Sequence, residues 1–319
     1  MNGTPSSQIQ IIAPFTAALD WMKMMLFRPF DFAKWLTVGF AAFLAGNFGF
    51  NIRINRSWGT SDWKYSVHRD GVTSAGGNWD FAPWLIALIA GIVLLILALS
   101  IVWAWVSARG RFMFVDCIVK NRGAIAEPWH EYRREGNSYF LFWLVIGFCS
   151  VVLLAIIGAC LWLLFGESFR NDDGGDASVV IIVVIAAVVL VWVVVALVFA
   201  LVSNFMVPVM YRRRCTAREA FFDVAKLIAA NPGPFILFIL FVIALFIGLA
   251  IISTIIACAT CCFGALPYVS TVILLPAIVW LAAYKLLFIR QFGDAYDVWA
   301  TVAPPPPPAV EPLPPPPAT

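Results

Sequence analysis

Two histidines, seven cysteines and several clusters of arginine are the residues of this chain best suited to chemistry. His68 lies near Asp62 and Asp70, and His130 lies beside Glu127 and Glu131. Imidazole and carboxylate groups so close together could hold a metal ion, but neither spacing matches a known ligand pattern. Both groups read as solvated loop residues. Cys258, Cys261 and Cys262 form a C-x-x-C-C sequence. On an oxidising face of a membrane a Cys258–Cys261 or Cys258–Cys262 disulfide is open to them. Redox or metal work would call for lowered thiol pKa values, and no Lys, Arg or His stands nearby in sequence to lower them. Small apolar packing beside Gly264 and Pro267 is the reading adopted. The chain has no GxSxG, HExxH or Walker sequence. The expectation is therefore no catalytic residue, no metal, no cofactor and no enzymatic activity.

Basic residues offer a different chemistry. Arg109, Arg111, Arg212, Arg213, Arg214, Arg218 and Lys226 fall in two clusters beside long apolar runs. Such clusters attract anionic lipid headgroups, by about 1 kcal/mol for each charge near the surface. The same charges also set membrane topology, and the two roles are compatible. A net charge of +3 is too small to imply a nucleic-acid partner.

The elements that must position these residues are apolar helices. From Ser178 to Tyr211 no charged residue interrupts a run of mainly Val, Ile, Leu, Ala and Phe, and the run ends on Arg212, Arg213 and Arg214. As a helix it would extend roughly 50 Å, beyond the ~30 Å apolar core of a bilayer. Only 12% of all residues are charged and mean hydropathy is +0.90, which excludes an ordinary soluble domain. Further apolar segments cover about 32–50, 83–106, 139–165, 234–259 and 268–289, six spans in all. The first is short, and Pro276 is expected to loosen or kink the last. Segment 14–27 reads as an interfacial amphipathic helix, or equally as a helix packed under the membrane region. Residues 212–232 read as a basic amphipathic helix closed by Pro232. Ionisable residues are absent from spans two to five, and Lys285 lies near the end of the sixth. That weighs against ion-coupled transport.

Sixteen of the 21 Lys and Arg fall on one side of this six-span arrangement. The positive-inside rule then places both termini in the cytoplasm. No cleavable signal peptide is expected. Three times a basic segment precedes a helix-breaking pair and two spans, the breaks being Arg28-Pro29, Gly136-Asn137 and Asn231-Pro232. A threefold internal repeat would give this order, as would any series of hairpins with cytoplasmic charges.

Four blocks carry a family resemblance: MMLFRPFDFAKWLTVGFAAFLAG (24–46), SARGRFMFVDCIVKNRGAIAEPWHEYRREGNSYFLF (107–142), FMVPVMYRRRCTAREAF (205–221) and CATCCFGALPYVSTVILLPAIVWLAAYKLLFIRQFGDAYDVW (258–299). Together they resemble an uncharacterised family of bacterial six-span membrane proteins. More faintly, they are similar to the membrane domain of some glycerophosphodiester phosphodiesterases. The resemblance implies a protein of the bacterial cytoplasmic membrane. Those phosphodiesterases keep their chemistry in a separate soluble barrel, so no catalytic residue carries over.

The expected fold class is therefore all-α: a polytopic transmembrane helix bundle of about six spans with cytoplasmic interfacial helices. Residues 1–30 form an N-terminal cytoplasmic segment, 31–300 the transmembrane domain, and 301–319 a Pro-rich tail. The expected function is a non-catalytic membrane scaffold or envelope-assembly component, the alternative being a permease or lipid transporter. The expected partners are the lipid bilayer, anionic lipids within it, and a protein with an aromatic groove for the tail. Residues 304–308 and 314–317 are uninterrupted proline, which cannot join a helix or sheet and extends as polyproline II. Deleting 303–319 should leave membrane insertion and the melting temperature unchanged; an earlier melt in the truncated protein would show that the tail packs on the bundle.

Overall fold

The computed structural model describes residues 9–46, 83–170, 176–259 and 267–301, and among them all regular structure is helical. In chain order the helices are α1 (Ile12–Phe27), α2 (Phe32–Leu44), α3 (Pro83–Val119), α4 (Ala126–Glu131), α5 (Arg133–Arg170), α6 (Asp176–Arg213), α7 (Ala217–Ala230), α8 (Pro232–Ala259), α9 (Pro267–Ile273) and α10 (Leu275–Arg290). Two short 3₁₀ turns, Asp294–Tyr296 and Val298–Thr301, follow α10.

Four of these helices, α3, α5, α6 and α8, are long and apolar enough to cross a membrane. The most apolar stretch of α3, α5 and α6 contains no buried residue. Leu94, Leu153, Val194 and Leu240 all stand more than half exposed. A helix apolar all round, with that surface uncovered, is built for lipid rather than for water. Each long helix changes character towards its charged or proline-bearing end. Ala108–Val119 of α3, Val202–Tyr211 of α6, and Phe235 and Phe238 of α8 are largely buried. These ends join α1, α2, α4, α7 and α10 in one packed hub.

Within the hub, α1 lies along α10. Phe15 packs on Trp280, Phe241 and Tyr284, and the Trp280 indole N–H donates to the Phe15 carbonyl at 3.3 Å. Gln10 and Gln291 exchange two backbone–side-chain hydrogen bonds of 2.8 Å each. Helix α1 is thus held against α10 and α8 by its apolar side, with Ala18, Met25 and Leu26 buried. The Trp21 indole donates to the Ile118 carbonyl at 3.2 Å and its ring meets Trp299, so the chain beyond α10 returns to the hub. Phe205, Phe235, Phe238, Phe288 and Phe292 form a second aromatic cluster between α6, α8 and α10.

Helix α2 starts on an Asp31 cap, whose carboxylate accepts from the N–H groups of Ala33 and Lys34. It ends after 13 residues, with Gly46 at φ +81°, a left-handed stop that suits glycine. The expected first span ran to residue 50; the helix is shorter, and 47–50 lie outside the described residues. The expected sixth span is divided at Leu274 into α9 and α10, with Pro276 at the second position of α10. Proline needs no N–H partner in a first turn, so it starts a helix more easily than it continues one. The break expected at Gly136-Asn137 is absent, because α5 runs through both residues. The helix expected over 212–232 is interrupted instead. Arg214 takes φ 51°, and Thr216 with Glu219 forms a reciprocal capping box that starts α7.

Close approach at Gly110 locks α2 to α3. A Cβ there would meet the Leu44 carbonyl carbon at 2.6 Å and the Ala45 nitrogen at 2.8 Å. Backbone on both sides leaves nothing flexible to move aside. Gly110→Ala should therefore lower stability by about 1–3 kcal/mol. Gly91→Ala, where nothing lies within 4 Å, should be neutral or slightly stabilising. Parallel melting of the two variants measures this; equal melting temperatures would show that α2 does not seat on Gly110.

Candidate functional site

The most polar part of the hub is built where α3, α4, α5 and α6 converge. The Asp116 side chain, on the buried side of α3, is wholly inaccessible. It accepts from the Tyr211 hydroxyl at 3.0 Å, and it pairs with Lys120 at 2.8 Å and Arg122 at 3.2 Å. Lys120 stands four residues on, in the turn that closes α3, at the spacing that favours an acidic residue followed by a basic one. Arg122 also pairs with Glu127 at 2.7 Å. Hydrogen bonding to Glu127 and then to Asp116 raises the Arg122 pKa above its ordinary value, against the opposing effect of burial.

Glu131 extends the network across to α6. It pairs with Lys120 at 3.3 Å and with Arg214. Burial pushes the Glu131 carboxyl upward, but hydrogen bonds from Arg214 and Lys120 and their charges outweigh it, and the group sits below the usual range. Arg214 also lies 4.0 Å from the centre of the Tyr132 ring, a cation–π distance. Tyr132 in turn stacks on Tyr211 at 4.8 Å. Burial drives the Tyr132 hydroxyl pKa well up, so the ring works here as a neutral platform.

A cavity of about 130 Å³ opens beside this network, between the first turns of α5 and the turn from α6 into α7. Arg134, Glu135, Ser138, Arg214, Cys215, Thr216 and Glu219 line it. Glu135 is 7% exposed; its Oε1 stands 3.7 Å from Arg214, while Oε2 has no hydrogen-bond partner. The Ser138 hydroxyl accepts from the Ala217 N–H at 3.0 Å. Burial raises the Cys215 thiol above its ordinary pKa, which makes it a poor nucleophile.

The basic residues singled out in the sequence are divided by this arrangement. Arg109 is only 7% exposed and lies between the Trp105 and Trp129 rings, 4.3 and 4.9 Å from their centres. Its guanidinium donates to Asn137 Oδ1, so it braces α3 against α4 and α5. Gly136 makes room for it, since a Cβ there would meet Arg109 Cγ at 2.8 Å. Arg111 is exposed and donates to the Tyr139 hydroxyl. Arg213 pairs with Asp223, and Arg214 with Glu131. Arg212 is half-buried, and its Nε has no partner. Arg218 and Lys226 stand exposed on α7, on the side away from buried Ala217, Ala220 and Val224. His130 is exposed, while Glu127 and Glu131 are committed to cations; among the described residues no three His, Cys, Asp or Glu side chains are grouped to hold a metal. Cys261, Cys262, His68 and the Pro-rich tail lie outside the described residues, as does the side chain of Cys258.

Residues 9–300 match the model of a family of unknown function, DUF7544. The chain belongs to that family. The match takes in the hub, the four apolar helices and the cavity together, so the whole described architecture lies within the family region. No curated protein and no solved structure matches the chain, and the likeness to glycerophosphodiester phosphodiesterases is without support. Two signals for the site were readable and were missed. Asp116 stands alone among apolar neighbours in RFMFVDCIVK, and Thr216-Ala-Arg-Glu219 is a capping-box sequence.

Removing the Asp116 carboxylate strips Lys120, Arg122 and Tyr211 of a shared partner. Asp116→Ala should cost about 3 kcal/mol, at the lower end for a buried ion pair because both cations are partly exposed. Tyr211→Phe should cost about 1 kcal/mol. Denaturation of the purified protein measures both, and an Asp116→Ala protein as stable as the parent would refute the network's structural role.

Proposed function

We propose that this protein is a non-catalytic, multi-pass membrane scaffold whose hub lies at the cytoplasmic face. The observation that carries the reading is the division of the molecule. Four uncovered apolar helices extend from one packed, charged hub, and the exposed basic residues Arg133, Arg134, Arg213, Arg218 and Lys226 belong to the hub. Lys and Arg concentrate on the cytoplasmic side of membrane proteins, which supports that orientation.

In this reading the hub extends into the membrane through α2 and the α9–α10 pair, which supply the first and sixth crossings. Phe32–Leu44 is apolar but short, and Trp35 and Tyr268 tie the two together by bonding the Val272 and Leu36 carbonyls. They would act as one paired element, with both termini in the cytoplasm of a bacterial cell. Arg218 and Lys226 on α7 are placed to meet anionic headgroups, because neither is drawn into an ion pair among the described residues. The Pro-rich tail would offer a preformed extended rod to a protein partner.

Reporters fused to the termini and inserted within 51–82 and 167–177 should give cytoplasmic ends and external loops. An external C-terminus would overturn the six-crossing arrangement. Reconstituted protein should show neither solute flux nor lipid scrambling above that of empty vesicles; robust transport would replace the scaffold with a permease.

A further inference from the structure

A half-buried cation in α10 stands without an opposite charge. Lys285 projects from the face of that helix that carries Ile278 and Ile289, both buried. It makes no hydrogen bond or ion pair among the described residues. Acids on the neighbouring elements are committed to other cations: Asp20 of α1 to Lys23, Asp116 of α3 to Lys120 and Arg122, Glu135 of α5 to Arg214, and Asp297 beyond α10 to Arg290. The charge that does act on Lys285 is a second cation, Arg111 of α3, a helix in contact with α10. A lone cation among apolar side chains is costly, and a like charge beside it adds repulsion. An anion joining the two would relieve both.

The pair is open to a ligand. Arg111 is exposed, and its guanidinium is steadied by donating to the Tyr139 hydroxyl. The Lys285 ammonium is not sealed in, as the neighbouring Tyr284 hydroxyl is. Tyr139 also opens the apolar run of α5, where Leu141 is 58% exposed. The two cations therefore stand where the packed hub gives way to lipid-facing helix, which is the level of phosphate groups in a bilayer. A planar guanidinium fork beside a compact ammonium suits phosphate oxygens in particular.

We propose that Arg111 and Lys285 jointly bind a phosphate group of net negative charge, as carried by phosphatidylglycerol, at the junction of α3, α5 and α10. Two cations with no carboxylate between them favour a net anion over a zwitterion, because a choline headgroup would bring a third positive charge. This rests on the membrane reading of the apolar helices, but not on the scaffold role.

The test is to titrate the delipidated full chain, in neutral detergent, with short-chain phosphatidylglycerol and phosphatidylcholine, reading binding by native mass spectrometry. The glycerol lipid should bind about tenfold tighter, the worth of one charge-assisted hydrogen bond. Lys285→Met should bring the two lipids level. Lys23→Met, an equal loss of charge at an exposed side chain of α1, should keep the preference. Equal binding by the parent protein overturns the proposal, as does a preference that survives in Lys285→Met or one that Lys23→Met also removes. Should Lys285→Met fail to fold, Arg111→Gln, changed at an exposed side chain, decides: the preference should fall, and an unchanged one overturns the proposal. Competition by free glycerol phosphate identifies a soluble ligand of the same chemistry; its failure to compete identifies the lipid. Flux and reporter results stand apart from these titrations, so failure here is distinguishable from failure of the scaffold reading.

Discussion

A single carboxylate buried at the convergence of the long helices holds the hub in register. Asp116 reaches Tyr211 on α6, and Lys120 and Arg122 in the turn that follows its own helix. A charge taken so far from water is tolerated only when its oxygens are engaged. Both Asp116 oxygens are engaged, and each of the two cations has a second acidic partner, Glu131 or Glu127. The network cannot shift without leaving a buried charge unmet. It thus fixes the rotation of α3 against α6 more sharply than the surrounding Phe and Met side chains could, because apolar contacts tolerate sliding and directional hydrogen bonds do not.

That rigidity matters because the apolar helices contribute little to one another. Lipid tails are as apolar as Leu or Val, so helices in a bilayer have no hydrophobic drive to associate laterally. The apolar runs of α3, α5 and α6 accordingly stand uncovered, and their directions are set from the hub end. Basic side chains serve this architecture directly. Arg109 braces Trp105, Trp129 and Asn137, and Arg214 links α4 to α6 through Glu131 and Tyr132. Both had seemed, from sequence, to be free for headgroups. An arginine near a membrane surface is thus not a free charge by default, since its planar fork and polarisable face suit buried recognition.

The apolar helices were legible because a run such as 178–211 has no other stable home. Their lower boundaries were less so. Gly136-Asn137 reads as a helix breaker, yet the helix continues, because glycine there is required by Arg109 and Asn137 accepts its hydrogen bonds. Conversely, Arg214 and Cys215 give no sign of a break, yet the chain turns there. The local signal lay in the next residue, in the reciprocal bonds of Thr216 and Glu219, and the tertiary one in Arg214's pull towards Glu131. Glu135 was invisible as a site residue for a different reason. Its cation, Arg214, stands more than 75 residues away, and no spacing in the sequence encodes such an encounter.

The same hub also bears on the threefold repeat suggested by the order of segments. In the third unit a capped amphipathic helix, α7, precedes α8 across Asn231-Pro232. In the first, α1 precedes α2 across Arg28-Pro29. The second unit departs from both, since its pre-span segment is the buried base of α3 followed by the short α4, and α5 starts without a proline break. The physical consequence is asymmetry. The middle segment contributes Asp116, Glu131 and Glu135 together with Lys120 and Arg122, two of the cations that pair with them. Arg214 alone reaches in from the following segment, to Glu131 and Glu135, so the charges of the hub follow no threefold pattern.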